Sequence, residues 1–410
     1  MTNFEDMDDI AREYIVLALA LGQHGEGIVD AYYGPVELRE VATADTRGPS
    51  DLAAGAARLR EQVNVDEPDE QRRRWLDRQL LALETLARQM AGEDIPYVEE
   101  VQRCFDATPE PTSREVYGAV RSQLNDLLPD GPSLRERLDA RDARLTIPTD
   151  RLSEILEWIT AELRGTSAEY FPTPEGESIE LSLVTGQPWS AYNWYDGNLR
   201  SRVEFNTDLP TRAHTLVSTM GHETFPGHHL EHAWKEQRLV REQGRYEATI
   251  QLINTPEAYI SEGLAEVGPQ LILTPESWQQ LLVGVCDRAG IPMTTQDAGR
   301  EWAINEAVRP LGGISGDAAL MFHAEHRPLD EVRRFLVEDG LASADRAEKN
   351  IQFIGHPLWR TYVFCYEGGE QLLLRWVRAV TDEQGRRDRF FRLLTEQLTP
   401  SGIGAELAAT

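Results

Sequence analysis

Apolar positions recur at helical spacing through most of the chain. Ile10, Tyr14, Ile15, Leu17, Ala18 and Leu21 form one stripe. Trp75, Leu76, Leu80, Leu81, Leu83, Leu86 and Ala87 form a second within a heavily charged segment. Leu152, Ile155, Leu156, Ile159 and Leu163 predict a third helix, with Thr149 or Asp150 available as its N-cap. Beyond residue 256 the pattern returns in segments around 257–270, 295–308, 328–338, 343–354, 358–379 and 384–397. Stretches rich in proline, glycine and acid (Pro109–Ser113, Pro129–Ser133 and Pro172–Glu177) read as loops between helices. There is no fixed-period repeat and no low-complexity run.

One region alternates with a period of two. Ser190, Tyr192 and Trp194, followed by Leu199–Phe205, are β-prone, and Asp196-Gly197 between them is a hairpin signal. In the second run Leu199, Ser201, Val203 and Phe205 share one face, opposite Arg200, Arg202 and Glu204. An isolated hairpin is marginal in water, so it should pack on helices or join a small sheet. The predicted fold is therefore mainly α and two-lobed. Residues 1–170 form an N-terminal helical lobe, and 171–410 carry a β-hairpin at 190–206, the motif described below and a C-terminal helical bundle. The hairpin is either a structural ribbon or a border of the site, in which case the strand Arg200–Phe205 is expected to show one unpaired edge there.

Composition narrows the partners. Acidic residues outnumber basic ones 69 to 41, for a formal charge of −28. Such a surface repels phosphate backbones and anionic headgroups, so neither nucleic acid nor membrane is expected as a partner. Lysine occurs twice, at Lys235 and Lys349, which reads as compositional bias. Cys104, Cys286 and Cys365 show neither metal-ligand spacing nor a disulfide framework. The opening MTNFEDMDDIAREY is acidic where a signal peptide would be basic, and the apolar run Tyr14–Leu21 is far shorter than a membrane span. A cytoplasmic location is the expectation.

Five of the nine histidines fall in HTLVSTMGHETFPGHHLEH, residues 214–232. His222-Glu223 begins an HExxH-like zinc motif, in which histidines four apart on a helix lie about 40° apart and reach one ion. The adjacent glutamate then faces a water whose pKa zinc lowers from ~16 towards ~7, so a carboxylate suffices as the base. Here the fourth residue after His222 is Pro226. On a straight helix His228 would lie about 240° around, and His229 about 10 Å along the axis. Pro226-Gly227 resolves this. Proline breaks the helix and glycine permits an unusual turn, so two residues can loop out and bring His228 beside His222.

HETFPGHHLEH resembles the HExxPGHxxQ signature of the DUF885 family, metallopeptidases with a gluzincin-like helical fold. VEFNTDLP, residues 203–210, resembles that family's strand and Asn-Thr segment before the motif, and SEGLAEVG resembles its EGWALYAE segment. The specific part of the likeness covers residues about 180–270, with weaker similarity over most of the chain. Glu231 stands where the family has glutamine, and Leu264 where it has tryptophan. The resemblance implies one compact unit holding one zinc ion per chain through His222, His228 and Glu262, a carboxylate 40 residues after the first histidine. Glu266, one turn on, is placed to hydrogen-bond a ligating imidazole. The set leaves a fourth position for water.

Other residues remain in play. Glu262 and Glu266 can be a solvated helix face. Glu257 is a rival ligand but suits a helix start after Pro256. His228 and His232 form an i,i+4 pair that can bind metal alone, His229 is a fallback ligand, and His214 reads as a packed or surface histidine. His323, in LMFHAEHRPLDEV, resembles a family position carrying histidine before a C-terminal helix, and is expected to hydrogen-bond substrate or the tetrahedral intermediate. Tyr366, in FCYEGGEQ, resembles the tyrosine of the family's SYKxG segment, an oxyanion donor for which Tyr362 and Arg360 compete. His24, His326 and His356 carry no assignment. The expected function is a zinc-dependent peptidase with Glu223 as general base and Tyr366 and His323 assisting. Its substrate would be a peptide or a small non-peptide amide. The alternative is a zinc-binding protein of the same fold without turnover.

Overall fold

The computed structural model describes residues 7–187 and 189–409, so the first residues of the acidic opening lie outside it. The fold is mainly helical, with two small sheets. The helix Asp9–Gly22 buries Tyr14, Ile15, Leu17, Ala18 and Leu21, and the Asp8 carboxylate accepts from the Ala11 N–H at its start (2.8 Å). Glu70–Met90 buries Trp75, Leu76, Leu80, Leu83, Leu86 and Ala87. Thr149–Ala168 has Pro148 as its N-cap, so neither Thr149 nor Asp150 caps it; Asp150 lies in the first turn, where its charge complements the helix dipole. The stripe at 358–379 becomes a helix only from Val363 to Arg378. Pro357 keeps His356 extended (φ −78°, ψ 131°), and residues 357–362 form turns.

The strands are β1 (Val29–Tyr32), β2 (Ser178–Val184), β3 (Ala191–Gly197), β4 (Arg200–Asn206) and β5 (Ile250–Leu252). β1 pairs antiparallel with β5. The hairpin joins a second sheet of order β2-β4-β3, with β2 parallel to β4. This corrects two expectations. β4 is the central strand and has no unpaired edge; the strand that borders the site is β3. The reversal is made not by Asp196-Gly197 but by Asn198-Leu199, both at positive φ (55° and 59°), after a register shift between Tyr195 and Gly197. The Leu199 N–H donates to Glu236 Oε2 (3.1 Å), which also accepts from the Tyr195 hydroxyl (2.6 Å), so a buried carboxylate holds this turn. The expected alternation in β4 is present: Leu199, Ser201, Val203 and Phe205 are buried, while Arg200 and Arg202 are exposed.

Buried side chains gather in two large clusters and a small third. The first joins residues 7–117 with 240–259 and 318–365; the second joins 145–234, 260–298 and 373–403. The third holds Val120, Leu124, Leu128, Leu138, Ile304 and Ala307. Helix 149–168 therefore packs in the second cluster although it precedes residue 170, and the expected lobe boundary coincides with neither core. Two helices straddle both cores. In Pro256–Ile272, Tyr259 belongs to the first and Ile260 to the second; in Val363–Arg378, Cys365 and Leu373 divide the same way. These two helices touch backbone to backbone at Gly263 and Gly369, where a Cβ on either would meet the other's main chain within 3 Å.

Candidate metal centre

The helix Ala213–Glu223 stops one residue before Thr224, and a second helix runs from His228 to Lys235. Between them the Phe225-Pro226 peptide is cis, and the Gly227 N–H donates back to the Gly221 carbonyl (3.1 Å). A Cβ at Gly227 would lie 1.8 Å from the His222 carbonyl oxygen, so only glycine lets the chain pass this close. The break sets the His228 ring 4.6 Å from the His222 ring, nearly perpendicular to it. His229 turns away. It is fully buried between Ser201 Oγ and Glu177 Oε2, each 2.8 Å from a ring nitrogen.

Glu262 arrives from the straddling helix Pro256–Ile272. Its Oε2 lies 3.3 Å from His222 Nε2 and 3.9 Å from His228 Nε2, and the ligand atoms of the three residues lie within 4.8 Å of one another. Tetrahedral ligand atoms about 2 Å from a zinc ion stand about 3.3 Å apart. The Tyr362 hydroxyl donates to Glu262 Oε1 (2.6 Å), whereas Oε2 is buried with no hydrogen bond. A buried, unsatisfied carboxylate oxygen facing two imidazole Nε2 atoms fits a cation held among them.

The other ring nitrogens face carboxylates. His222 Nδ1 is 3.3 Å from Glu266 Oε1, the role expected of Glu266. His228 Nδ1 lies 3.2 Å from Ser261 Oγ and 3.6 Å from Glu231 Oε2. Glu231 is fully buried, accepts from Ser261 Oγ (2.5 Å) and Lys235 Nζ (2.6 Å), and its carboxyl is held far below the usual range despite burial, by Lys235 and the nearby histidines. Glu257 takes Lys235 and the Trp75 indole N–H (2.7 Å), so the rival ligand is occupied. His228, Glu231 and His232 also lie within 4.8 Å of one another, but Glu231 is spent as described and His232 Nδ1 is 2.9 Å from Gln251 Nε2. Burial pushes His232 down to about 3.

These residues open onto a cavity of about 940 Å³, at the upper end of the range for ligand sites. Its lining includes the motif helices, Asp30, Tyr33 and Trp75, and Ala191, Tyr192 and Asn193 of the edge strand β3. Among the described residues nothing hydrogen-bonds the Glu223 carboxylate, which lines the cavity. Burial raises its pKa, against the pull of His222 and His228. Asn193 Nδ2 donates to the Glu223 carbonyl (2.7 Å), tying β3 to the end of the motif helix. Tyr366 also lines the cavity, its ring 5.7 Å from Tyr362. Its ring is exposed to the cavity, and its enclosed phenol, with the charge of Glu262 beside it, is pushed well up, so it stays a donor.

His323 does not join the site. Its Nε2 bonds the Ile354 carbonyl (2.7 Å) and its ring stacks on Tyr97, so the expected substrate contact is withdrawn. Arg360 pairs with Glu100 instead. His214 is buried 3.6 Å from Asp142. Asp30, Tyr192 and the Glu231–Lys235 pair also belong to this site, although no motif in the sequence marks them as such. One compositional signal was at hand, because both lysines of the chain line this cavity.

No family model matches the chain, and no curated protein matches it. Two solved structures share the fold. A "putative lipoprotein" from Colwellia psychrerythraea is 15% identical with a TM-score of 0.53, over 91% of this chain and 69% of that one. A "putative lipoprotein of unknown function" from Shewanella oneidensis is 10% identical with a TM-score of 0.51, over 97% of this chain and 82% of that one. At such identities the likeness speaks for the fold alone. Among the described residues no helix is long and apolar enough to cross a membrane.

Proposed function

We propose that the protein is a zinc-dependent hydrolase of peptide bonds, related to the DUF885 metallopeptidases that its motif resembles. One observation carries the reading: the buried Glu262 Oε2, without a hydrogen bond, faces the Nε2 atoms of His222 and His228 in a cavity that also holds the unbonded carboxylate of Glu223. Zinc held by His222, His228 and Glu262 would supply a Lewis acid and lower the pKa of a water towards about 7. Glu223 takes the proton of the attacking water and returns it to the leaving amine, and burial, which raises its affinity for that proton, suits both steps. Tyr366 donates to the oxygen on which charge develops. Glu266 and Glu231 orient the two imidazoles through Nδ1. The open edge of β3 offers main-chain groups to an extended peptide. A cytoplasmic site of action agrees with three buried cysteines, none of them in a disulfide.

The test has two stages. Elemental analysis should find one zinc per chain, lost in His222→Ala, His228→Ala and Glu262→Ala. Peptides of graded length should then be cleaved in a chelator-sensitive way, and Glu223→Gln should keep zinc while losing about 10²–10⁴-fold in rate. Zinc bound with no cleavage by wild type would favour a binding protein of the same fold. Cleavage by Glu223→Gln at the wild-type rate would exclude the mechanism.

A further inference from the structure

Six carboxylates line the cavity: Asp30, Glu223, Glu231, Glu257, Glu262 and Glu266. Glu262 and Glu266 face His222, and Glu231 and Glu257 share Lys235. Glu223 is the base. Asp30 remains. It lies on β1, in the opposite core from the motif, and its one hydrogen-bonding partner among the described residues is the neutral hydroxyl of Tyr192, on Oδ1. Oδ2 has no partner. Asp30 is near enough to His228 and Glu262 for their charges to act on it. The only other lysine at the cavity, Lys349, is exposed and pairs with none of these groups.

We infer that Asp30 is the anchor for a primary ammonium group of the substrate, and that Tyr192 holds it in place. An ammonium group brings three donors and a positive charge to a carboxylate that lacks both a cationic partner and a donor on Oδ2. Position gives the anchor its meaning. Tyr192 grips Asp30, and its neighbour Asn193 grips the main chain of Glu223, so consecutive residues of the edge strand connect the anchor and the base. A peptide lying along β3 with its amino end on Asp30 places one of its first peptide bonds by Glu223. If the ammonium is the α-amino group, the enzyme removes residues from the amino end; if it is a lysyl side chain, the enzyme prefers lysine beside the cut. This deepens the hydrolase reading, and its consequence for cleavage rests on that reading.

Binding tests the anchor without turnover. Quenching of tryptophan fluorescence, from Trp75, Trp189 and Trp359 in the cavity wall, is followed in zinc-free protein titrated with the tripeptide amide Phe-Leu-Ala-NH2 and with its N-acetyl form. The free amine should bind at least about tenfold more tightly, the worth of a charge-assisted contact in a sheltered site. Asp30→Asn should abolish the difference and Asp30→Glu should keep part of it, both with wild-type circular dichroism. Acetylated peptides carrying lysine or norleucine identify the source: a lysine advantage that Asp30→Asn removes assigns the anchor to the side chain. Equal binding of free and acetylated peptide by wild type, with no gain from lysine, overturns the inference even if the variants fail to fold. So does a preference that survives in Asp30→Asn. A protein that prefers the amine but cleaves nothing retains the anchor and loses the hydrolase reading. One that cleaves blocked and free peptides equally retains the hydrolase and loses the anchor.

Discussion

Replacing Gly227 with alanine attacks the device that brings the two histidines together. The new Cβ would stand 1.8 Å from the His222 carbonyl oxygen and 2.6 Å from that of Gly221. Both obstacles are backbone, so no rotamer change relieves them. Real Cβ contacts stay beyond 3.0 Å, which requires a shift of at least 3.0 − 1.8 = 1.2 Å between the segments that carry His222 and His228. Zinc sites tolerate about 0.2 Å in ligand distance, and a misplacement of about 1 Å at a reacting centre costs on the order of a hundredfold in rate. Forcing a methyl group into packed structure also costs about 1–3 kcal/mol. Zinc affinity, measured by chelator competition, should therefore fall at least about a hundredfold, and the urea midpoint should drop. Gly165→Ala is the control. Its Cβ meets nothing within 4 Å inside the helix 149–168, and it should gain up to about 1 kcal/mol with unchanged zinc binding. A Gly227→Ala protein with wild-type zinc affinity and stability would refute the geometry of the break.

Tyr366→Phe should lower kcat by about 10²–10³-fold with KM and zinc content nearly unchanged; unaltered kcat would make the phenol a bystander. His229→Leu should cost about 1–3 kcal/mol in a denaturant melt by stripping Ser201 and Glu177 of a buried partner. It should leave one zinc per chain, and zinc loss would restore His229 as a ligand. Glu367 gives a pH test away from the metal. Burial, with the charges of Asp317 and Glu370, raises it from 4.5 to about 7. The folded state thus favours its protonated form, a contribution fully present below about pH 4.5 and lost as pH rises through about 7. Glu367→Gln should match wild type near pH 4.5 and exceed it at pH 8 by roughly 1–2 kcal/mol, after discounting for partial exposure. Equal stability at pH 8 would refute the shift.

What could be read along the chain was what neighbours along the chain determine. The stripe from Ile10 to Leu21 and the one from Trp75 to Ala87 are single-helix patterns, and each became one helix. HETFPGHHLEH encodes its own break, because proline and glycine act on the backbone within a few residues. The helices Arg114–Leu127 and Leu134–Arg144 are not among the stripes read from the sequence; they bury few apolar residues, mostly in a small core completed by the distant Ile304 and Ala307. The central position of β4 depends on β2, whose parallel pairing has no local turn to announce it. Asp30 meets Tyr192 across 162 positions, and Trp75 meets Glu257 across 182, so no spacing rule brings either pair together. His323 misled for the converse reason: its surroundings in sequence resembled a site, while the fold spends its ring on Ile354 and Tyr97.

The two helices that straddle the cores bear on what can enter the cavity. The chain passes between the cores five times, at 117–145, 234–240, 259–260, 298–318 and 365–373. Two of those passages lie inside Pro256–Ile272 and Val363–Arg378, close to Glu262 and Tyr366. A hinge needs a few loop residues that absorb a rotation, whereas here opening would have to bend two helices locked together at Gly263 and Gly369. The jaws are effectively riveted at the point where they bite. If the proposed hydrolase reading holds, such a site would select substrates by aperture, admitting flexible peptide ends and turning folded domains away at the mouth.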